Sequence, residues 1–194
     1  MIVVAPFSND VLRDWPRGYF RDFVSSLLDH YHYRVTLIGS AEQRQSINLI
    51  VRGLAADRVS NVAGTWSWAE TMQHLKDAAL VVANNSGVAH LGASLGVPTL
   101  CIFTASHDPH EWGPRGSRAT ILYARPNCAP CGMSGIHGCR NGQVCMTELT
   151  PELVFAQVRH LLPQTTPPST ATYRGKNNGL AISGRPGSDS GGGV

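Results

Sequence analysis

The chain has 194 residues, 42% of them hydrophobic, and its formal net charge is +3. This length and composition are typical of one soluble, well-packed domain. The small charge, with no dense run of Lys or Arg, argues against nucleic acid as a partner, and no apolar run approaches the roughly 20 residues of a membrane span.

The first residues of the chain predict a buried strand at 2–5. They lack the basic lead and the length of a signal peptide, so we expect a cytoplasmic protein. Because the first predicted strand begins almost at the first residue, we expect an N-terminal domain or a partner chain to precede this domain. A mildly basic face would also allow peripheral association with anionic lipid at the inner membrane.

Apolar runs and helical patterns then alternate along the chain. The predicted strands cover residues 2–5, 34–38, 58–62, 80–83, 98–103 and 119–123. The predicted helices cover residues 16–31, 41–52, 67–79, 87–95 and 150–162. This alternation predicts an α/β fold, a Rossmann-like doubly wound parallel sheet of about six strands with helices on both faces.

The helix over 67–79 has the clearest local signal. Ser67 and Glu70 have the spacing of a capping box, in which each side chain bonds the backbone N–H of the other residue. Trp68, Met72 and Leu75 follow at helical spacing. We therefore expect these three to form the buried face of the helix.

Two segments interrupt the alternation of strands and helices. Residues 124–149 form a Cys/Gly-rich excursion. Residues 163–194 are rich in Pro, Thr, Ser and Gly and have few apolar anchors, so we expect this tail to be disordered. The predicted ordered domain is therefore 1–162.

The cysteines of the excursion follow the pattern Cys-x2-Cys-x7-Cys-x5-Cys, at Cys128, Cys131, Cys139 and Cys145. Four thiolates that close a small loop can hold zinc or iron tetrahedrally, but only the first of these spacings is typical of a metal site. A structural zinc or iron and free or paired thiols both remain open. Cys101 lies in a predicted buried strand, which indicates an unreactive thiol.

Ligands in a parallel α/β sheet bind beyond the carboxyl ends of the strands. Four predicted loops follow strands at that edge, over residues 7–15, 39–42, 63–67 and 84–90. No Walker pattern and no GxGxxG occurs in any of them, so the sequence does not support an ATPase or an NAD site.

The loop over 84–90 carries the most chemistry. The helix N-terminus that follows it offers unpaired backbone N–H groups and a partial positive charge, which suit a phosphate group. Gly87 permits close approach of a ligand to the backbone, Ser86 adds a hydroxyl, and His90 lies one turn further on. The alternative is a plain turn, with Asn85 and Ser86 as a helix cap and His90 packed on the sheet.

Several stretches together resemble the C-terminal half of family 9 glycosyltransferases. Residues 85–99, NSGVAHLGASLGVPT, are similar to the donor-site signature D-[ST]-G-x-x-H-x-A-x-A-L-G-x-P. Residues 103–114, FTASHDPHEWGP, resemble the F-G-P-T-x-P and G-P elements that follow it. The segments PFS at 6–8 and RDWP at 13–16 resemble P-G-[AS]-S and K-x-W-P, and LIGSAE at 37–42 resembles a strand with a G-x-x-E loop.

The C-terminal matches complete the series. CAPC at 128–131, CM at 145–146 and TPE at 150–152 are also similar to the family. The matches occur in family order over about residues 2–162, and related members of the resembled family carry similar cysteine sets. The specificity therefore comes from the whole set, because each match alone is weak.

The resemblance implies one half of a GT-B glycosyltransferase, in which two Rossmann-like halves form the active site between them. The half matched here binds the nucleotide-sugar, and the other half binds the acceptor. Family members transfer a sugar, often a heptose from an ADP-activated donor, to a lipopolysaccharide core or another glycan or protein acceptor. No cofactor is required for this chemistry, and the general base is expected in the other half.

The donor-binding residues that the resemblance implies are Ser8, Arg13, Glu42, Trp66, Asn85, Ser86, Gly87 and His90. Ser8 and Arg13 would face the diphosphate, where a guanidinium can neutralise the charge that develops on the leaving group. Glu42 would bond the ribose hydroxyls, and Trp66 would pack near the base. The helix start at 86–90 would hold phosphate and sugar.

These assignments have structural alternatives. Arg13 could be an ordinary surface residue, Glu42 an exposed acid at a helix start, and Trp66 a core residue. Asn85 stands where the family usually has Asp. The amide keeps the shape of the acid but loses its charge, which would weaken a contact to a sugar hydroxyl or change donor preference.

Three functions are therefore compatible with the sequence. The first is the donor domain of a heptosyltransferase-like enzyme. The second is a non-catalytic module that binds a nucleotide or glycan, which Asn85 favours. The third is another two-domain enzyme that acts on nucleotide-sugars, such as an epimerase.

Overall fold

A sheet of six parallel strands forms the centre of the protein in the computed structural model, which describes residues 1–135, 138–162 and 180–183. These strands are β1 Ile2–Ala5, β2 Val35–Leu37, β3 Val59–Asn61, β4 Leu80–Asn84, β5 Thr99–Ile102 and β6 Ala119–Ala124. A seventh, β7 Leu180–Ser183, pairs antiparallel to β6. The order across the sheet is β3-β2-β1-β4-β5-β6-β7.

The helices lie between the strands in chain order. They are α1 Arg17–His30, α2 Arg44–Val51, α3 Trp68–Lys76, α4 Gly87–Ser94, α5 Pro109–Trp112, α6 Val144–Thr147 and α7 Pro151–Leu161, and a 3-10 turn covers Val11–Arg13. The short helices α5 and α6 and the 3-10 turn were not predicted. Within the described residues, none of the helices combines the length and the hydropathy that crossing a membrane requires.

Alternate residues of the central strands point into two hydrophobic cores, one on each face of the sheet. Ile2 and Val4 of β1 pack into the first core with helices α1, α2 and α7. Val3 and Ala5 pack into the second core with α3 and α4. Helices on both faces explain why the strands are almost wholly apolar. The predicted doubly wound α/β fold is confirmed, and similar solved structures reported below share it.

The order of the strands reverses beside β1. The chain moves outward from β1 through β2 to β3, then crosses back to β4 on the other side of β1. The connections after β1 and β4 consequently diverge to opposite faces of the sheet. A crevice opens at the carboxyl edge between such strands, and this is where ligands bind in open α/β sheets.

Helix α3 has the predicted start but a different buried face. Ser67 N–H donates to the Glu70 carboxylate at 2.7 Å, and Glu70 N–H donates to Ser67 Oγ at 3.2 Å, which confirms the capping box. Trp68 and Met72, however, are 61% and 38% exposed. Leu75 is buried as predicted, and Thr71 is buried in place of Trp68 and Met72.

The tail differs from its predicted disorder at four residues. β7 at Leu180–Ser183 adds to the edge of the sheet, with Leu122 opposite Ile182. An edge strand such as β6 presents unpaired backbone N–H and C=O groups, which β7 satisfies. The rest of the predicted tail, 163–179 and 184–194, lies outside the described residues.

Candidate functional site

A cavity of about 660 Å³ opens at the carboxyl edge of the sheet, beside the point where the strand order reverses. The loops that follow β1, β2, β3 and β4 form its walls. The polar and aromatic residues that line it are Phe7, Ser8, Asn9, Arg13, Ser40, Gln43, Trp66, Trp68, Thr71, Asn85, Ser86, His90 and Trp112. The volume is in the range typical of small-molecule and cofactor sites.

All of the predicted donor-binding residues except Glu42 line this cavity. Glu42 is exposed outside the lining, where hydrogen bonding from the Ser40 side chain lowers the pKa of its carboxyl. The neighbouring Gln43 faces the cavity instead. Its Oε1 accepts from Ser40 N–H at 3.0 Å, and its Nε2 donates to the Ser8 carbonyl at 3.2 Å. Sequence reasoning missed Gln43 because the acid beside it matched the family pattern.

The N-terminus of α4 is open to the cavity. Ser86 occupies the N-cap position, but its side chain makes no capping hydrogen bond. Its Oγ is buried and has no hydrogen-bond partner among the described residues. A Cβ added at Gly87 would meet only Trp68, at 3.6 Å, so the backbone here is accessible. A buried polar atom without a partner is unfavourable, and a ligand oxygen would satisfy it.

Arg13 reaches the same cavity from the end of the 3-10 turn. Its Nε–H is buried and donates to no acceptor within the described residues. The nearest acid, Asp10, lies 4.0 Å from Nε through Oδ2. That separation is at the limit of an ion pair and too long for a hydrogen bond, so the guanidinium can still bind an anion.

Ser8 differs from Ser86 although both residues line the cavity. The Ser8 backbone N–H donates to Asp14 Oδ1 at 2.7 Å. Its hydroxyl donates to the Asp10 carbonyl at 2.7 Å and accepts from Asp10 N–H at 3.1 Å. Both donors of Ser8 are therefore engaged within the protein, and its predicted place facing the diphosphate stays a prediction.

Asn85 and His90 form a pair at the cavity wall. Asn85 is 5% exposed, and His90 Nε2 lies 3.3 Å from its Oδ1, within reach of an N–H···O hydrogen bond. Partial burial lowers the pKa of His90, which favours the neutral imidazole. A neutral His and a neutral amide therefore lie side by side at this wall of the cavity.

A family model described as glycosyltransferase family 9 (heptosyltransferase) matches residues 1–139. The chain belongs to glycosyltransferase family 9. Lipopolysaccharide heptosyltransferase 2 of Escherichia coli (strain K12) is 24% identical over 159 residues, which cover 77% of this chain and 43% of that protein. The chain thus spans less than half the length of this relative.

Two solved structures have the same fold as this family 9 chain. The E. coli ADP-heptose lipopolysaccharide heptosyltransferase II aligns with a TM-score of 0.68 at 21% identity, over 83% of this chain and 46% of that one. The E. coli heptosyltransferase WaaC, solved with ADP, aligns with a TM-score of 0.67 at 20% identity, over 82% of this chain and 43% of that one. The roles of individual cavity residues remain predictions.

Three tryptophans surround the cavity of this family 9 domain. Trp66 stacks on His74, with ring centroids 3.9 Å apart and planes 20° from parallel. Trp68 and Trp112 lie at the rim and are 61% and 58% exposed. Sequence reasoning assigned Trp68 to the core and overlooked Trp112, although Trp112 falls within the matched stretch 103–114.

The four cysteines of the excursion do not lie in one ligand group within the described residues. Cys128 and Cys131 are exposed, while Cys139 and Cys145 are half-buried. Cys139 Sγ accepts from the Gln143 backbone N–H at 3.2 Å, and Cys145 Sγ lies 3.6 Å from the hydroxyl of Thr104. Across the described part of the chain, no group of three metal-ligating side chains is close enough to hold an ion. Cys101 is fully buried, which raises the pKa of its thiol.

Proposed function

We propose that this domain is the donor-binding half of a heptosyltransferase-like glycosyltransferase and binds a nucleoside diphosphate sugar, such as an ADP-heptose, in the cavity. The observation that carries the proposal is a pair of buried polar atoms that have no partner among the described residues, Arg13 Nε and Ser86 Oγ, at one cavity. One atom belongs to a guanidinium and the other to a helix N-terminus, and both are suited to phosphate oxygens.

The diphosphate would bind at the start of α4. Ser86 Oγ and the free backbone N–H groups of the first helical turn would donate to the phosphate oxygens. Arg13 would offset the charge that grows on the diphosphate as the bond to the sugar breaks. These groups stabilise the leaving group without proton transfer.

The nucleoside and the sugar would occupy the remaining walls of the cavity. Trp66 offers an aromatic surface for the base, and Gln43, which lines the cavity, would bond the ribose in place of the exposed Glu42. The Asn85–His90 pair would contact the sugar. A glycan or lipid-linked acceptor such as lipopolysaccharide, and the base that activates it, would come from the other half, at the cytoplasmic face of the inner membrane.

The cysteine segment does not fit a metal as it is arranged, so the proposal assigns no chemical step to a metal. Exposed Cys128 and Cys131 do not lie in one ligand group with Cys139 and Cys145. A structural zinc or iron here stays a sequence-based prediction. Elemental analysis of purified protein, compared with a Cys128→Ser variant, would test it.

A second candidate is a module that binds the nucleotide-sugar but transfers nothing. The neutral Asn85–His90 pair favours it, because an acid at position 85 would bind a sugar hydroxyl more strongly. Calorimetry with ADP, GDP and UDP, each free and as its sugar, tests binding in both cases. Lack of binding to every one of these would overturn both candidates.

Transfer assays separate the two candidates. We expect the 194-residue chain alone to bind a nucleoside diphosphate and to transfer no sugar, and to support transfer when an acceptor-binding half is supplied. The Asn85→Asp variant should raise transfer in that reconstituted system. Transfer by the chain alone would contradict the half-enzyme proposal, and binding without transfer in any reconstituted pair would favour the module.

A further inference from the structure

One buried amide at the end of β4 contacts both ends of the loop that follows β1, residues 6–15, called the β1 loop below. Asn84 is completely buried. Its Oδ1 accepts from Trp15 N–H at 3.2 Å, and its Nδ2 donates to the Pro6 carbonyl at 2.8 Å. The same Nδ2 lies 3.4 Å from Asp14 Oδ1. A single side chain therefore connects the start and the end of the loop.

Asp14 extends this connection into the loop. Its Oδ1 accepts from the Ser8 backbone N–H at 2.7 Å, so Asn84, Asp14 and Ser8 form one chain of hydrogen bonds. A polar side chain that is fully buried costs free energy unless its bonds are made. An apolar residue would fill the same place at the end of a buried strand, so the amide indicates a role for the bonds themselves.

Arg13 directly precedes Asp14, and within the part of the chain that the structure describes its guanidinium has only the distant Asp10 carboxylate as a charged partner, at 4.0 Å. The direction in which Arg13 points is thus set by the backbone of the β1 loop more than by contacts of its own side chain. Trp15, the residue after Asp14, is 1% exposed, and its indole N–H donates to the Leu149 carbonyl at 2.6 Å. The two residues directly after Arg13 are therefore held in place by their own hydrogen bonds.

We propose that Asn84 and Asp14 are positioning residues, which hold the β1 loop in the conformation that presents Arg13 to the cavity. The inference rests on the proposed function, since the partner of Arg13 there is the ligand diphosphate. A preformed loop binds more tightly because no free energy is spent on ordering it. Asn84 and Asp14 contact no ligand in this account and act only through the loop.

The charge of Asp14 and its hydrogen bonds have opposite effects on an anionic ligand. Asp10 faces Asp14, and burial raises the pKa of the Asp14 carboxyl. A carboxylate near the diphosphate would repel it, whereas the bond to Ser8 N–H would keep the loop in place. The two effects separate in a pair of variants, because Asp14→Asn and Asp14→Ala both remove the charge and only Asn keeps the acceptor.

The test is the affinity of the full chain for ADP, measured by calorimetry, with unfolding temperatures recorded for each protein. Asp14→Asn should bind ADP as tightly as the wild type or more tightly. Asp14→Ala should bind about three- to tenfold more weakly than Asp14→Asn, the loss expected for one hydrogen bond. Asp29→Ala removes an exposed carboxylate from α1 and should leave the affinity unchanged. Equal affinities for the Asn and Ala variants would overturn the proposal.

A second pair of variants covers the case in which Asp14→Ala does not fold. Asn84→Asp places a second carboxylate against Asp14 and removes the donor to the Pro6 carbonyl. It should weaken ADP binding, and adding Asp14→Asn should recover part of the loss because an amide again faces a carboxylate. Absence of recovery in the double variant would contradict a direct pair.

Hydrogen exchange at the Ser8 amide distinguishes failure of this inference from failure of the proposed function. The amide should exchange slowly in the free wild type and faster in Asp14→Ala, since exchange requires the bond to Asp14 to open. Fast exchange in the wild type would overturn the role of Asp14 whatever the protein binds. No ADP binding by the wild type, with Ser8 protected, would overturn the proposed ligand alone.

Discussion

Two serines, at the ends of the neighbouring strands β1 and β4, face one cavity in opposite states. Ser8 has both of its donors engaged by Asp14 and Asp10, whereas Ser86 Oγ has no partner among the described residues. The same side chain thus serves as part of the scaffold on one wall and as a free polar group on the other. Lining a cavity and being able to bind a ligand are different properties.

The comparison of the two serines, together with the guanidinium at the cavity wall, assigns anion binding to Arg13 and the start of α4. We expect the Arg13→Ala variant to have the largest effect on this binding. Loss of a charge-assisted hydrogen bond costs about 1.5–3 kcal/mol, so we expect ADP to bind roughly ten- to a hundredfold more weakly. Calorimetry gives the dissociation constant. Arg17→Ala, at an exposed arginine outside the cavity, should have no effect. Unchanged affinity in Arg13→Ala would remove Arg13 from the site.

The free hydroxyl is tested by Ser86→Ala. ADP should bind about two- to tenfold more weakly, because one neutral hydrogen bond contributes roughly 0.5–1.5 kcal/mol. The unfolding temperature should stay the same or rise, because the variant removes a buried polar atom that has no partner in the described ranges. Lower stability with unchanged ADP affinity would show that the hydroxyl has a structural role instead.

Removal of the Ser8 hydroxyl, which is hydrogen-bonded within the protein, should give the reverse of the Ser86→Ala result. Ser8→Ala removes both bonds to Asp10 but keeps the backbone bond to Asp14. We expect unfolding to become easier by about 1–2 kcal/mol, measured by urea denaturation, with a change in ADP affinity of less than about threefold. A loss of affinity as large as that of Ser86→Ala would contradict the distinction between the two serines.

The smallest effect is expected from the pH dependence of stability at Asp14. Burial raises its pKa in the folded state above the value of 3.8 that it has when unfolded. The folded state therefore holds the proton more tightly, and the contribution of Asp14 to stability falls as pH rises through this interval. Asp14→Asn does not titrate, so its stability relative to the wild type should be higher at pH 7 than at pH 3. Thermal unfolding at both values measures this, and a constant difference would refute it.

Most of the fold follows from local patterns in the sequence. Apolar strands alternating with helices predicted the parallel sheet, and the spacing of Ser67 and Glu70 predicted the start of α3. The prediction that Trp68 lies on the inward face of α3 was wrong, because the pattern of apolar residues does not show that this residue borders a cavity. Strand β7 was missed because it forms by pairing with the distant strand β6. Ile182 lies opposite Leu122, which is 60 residues earlier in the chain.

The residues that line the cavity were partly predictable from the sequence, but their hydrogen bonds were not. Loops after parallel strands must meet at one edge, which is why Arg13, Trp66 and Ser86 lie together. Which donors are free depends on contacts between residues far apart, such as Asn84 with Asp14, 70 positions away. The local conformation of the loop after β2 also decides which of two adjacent side chains lines the cavity, and here it is Gln43 rather than Glu42.

The antiparallel strand β7 has a consequence for handling the protein. It covers β6, whose sequence ATILYA is apolar, rich in β-branched residues and free of charge. Such a segment with an open edge can pair with the same segment of another molecule and start intermolecular sheet growth. A chain shortened to residue 162 would keep every residue of the cavity lining but uncover that edge, so shelf life in concentrated solution should depend on a strand that lies outside the lining.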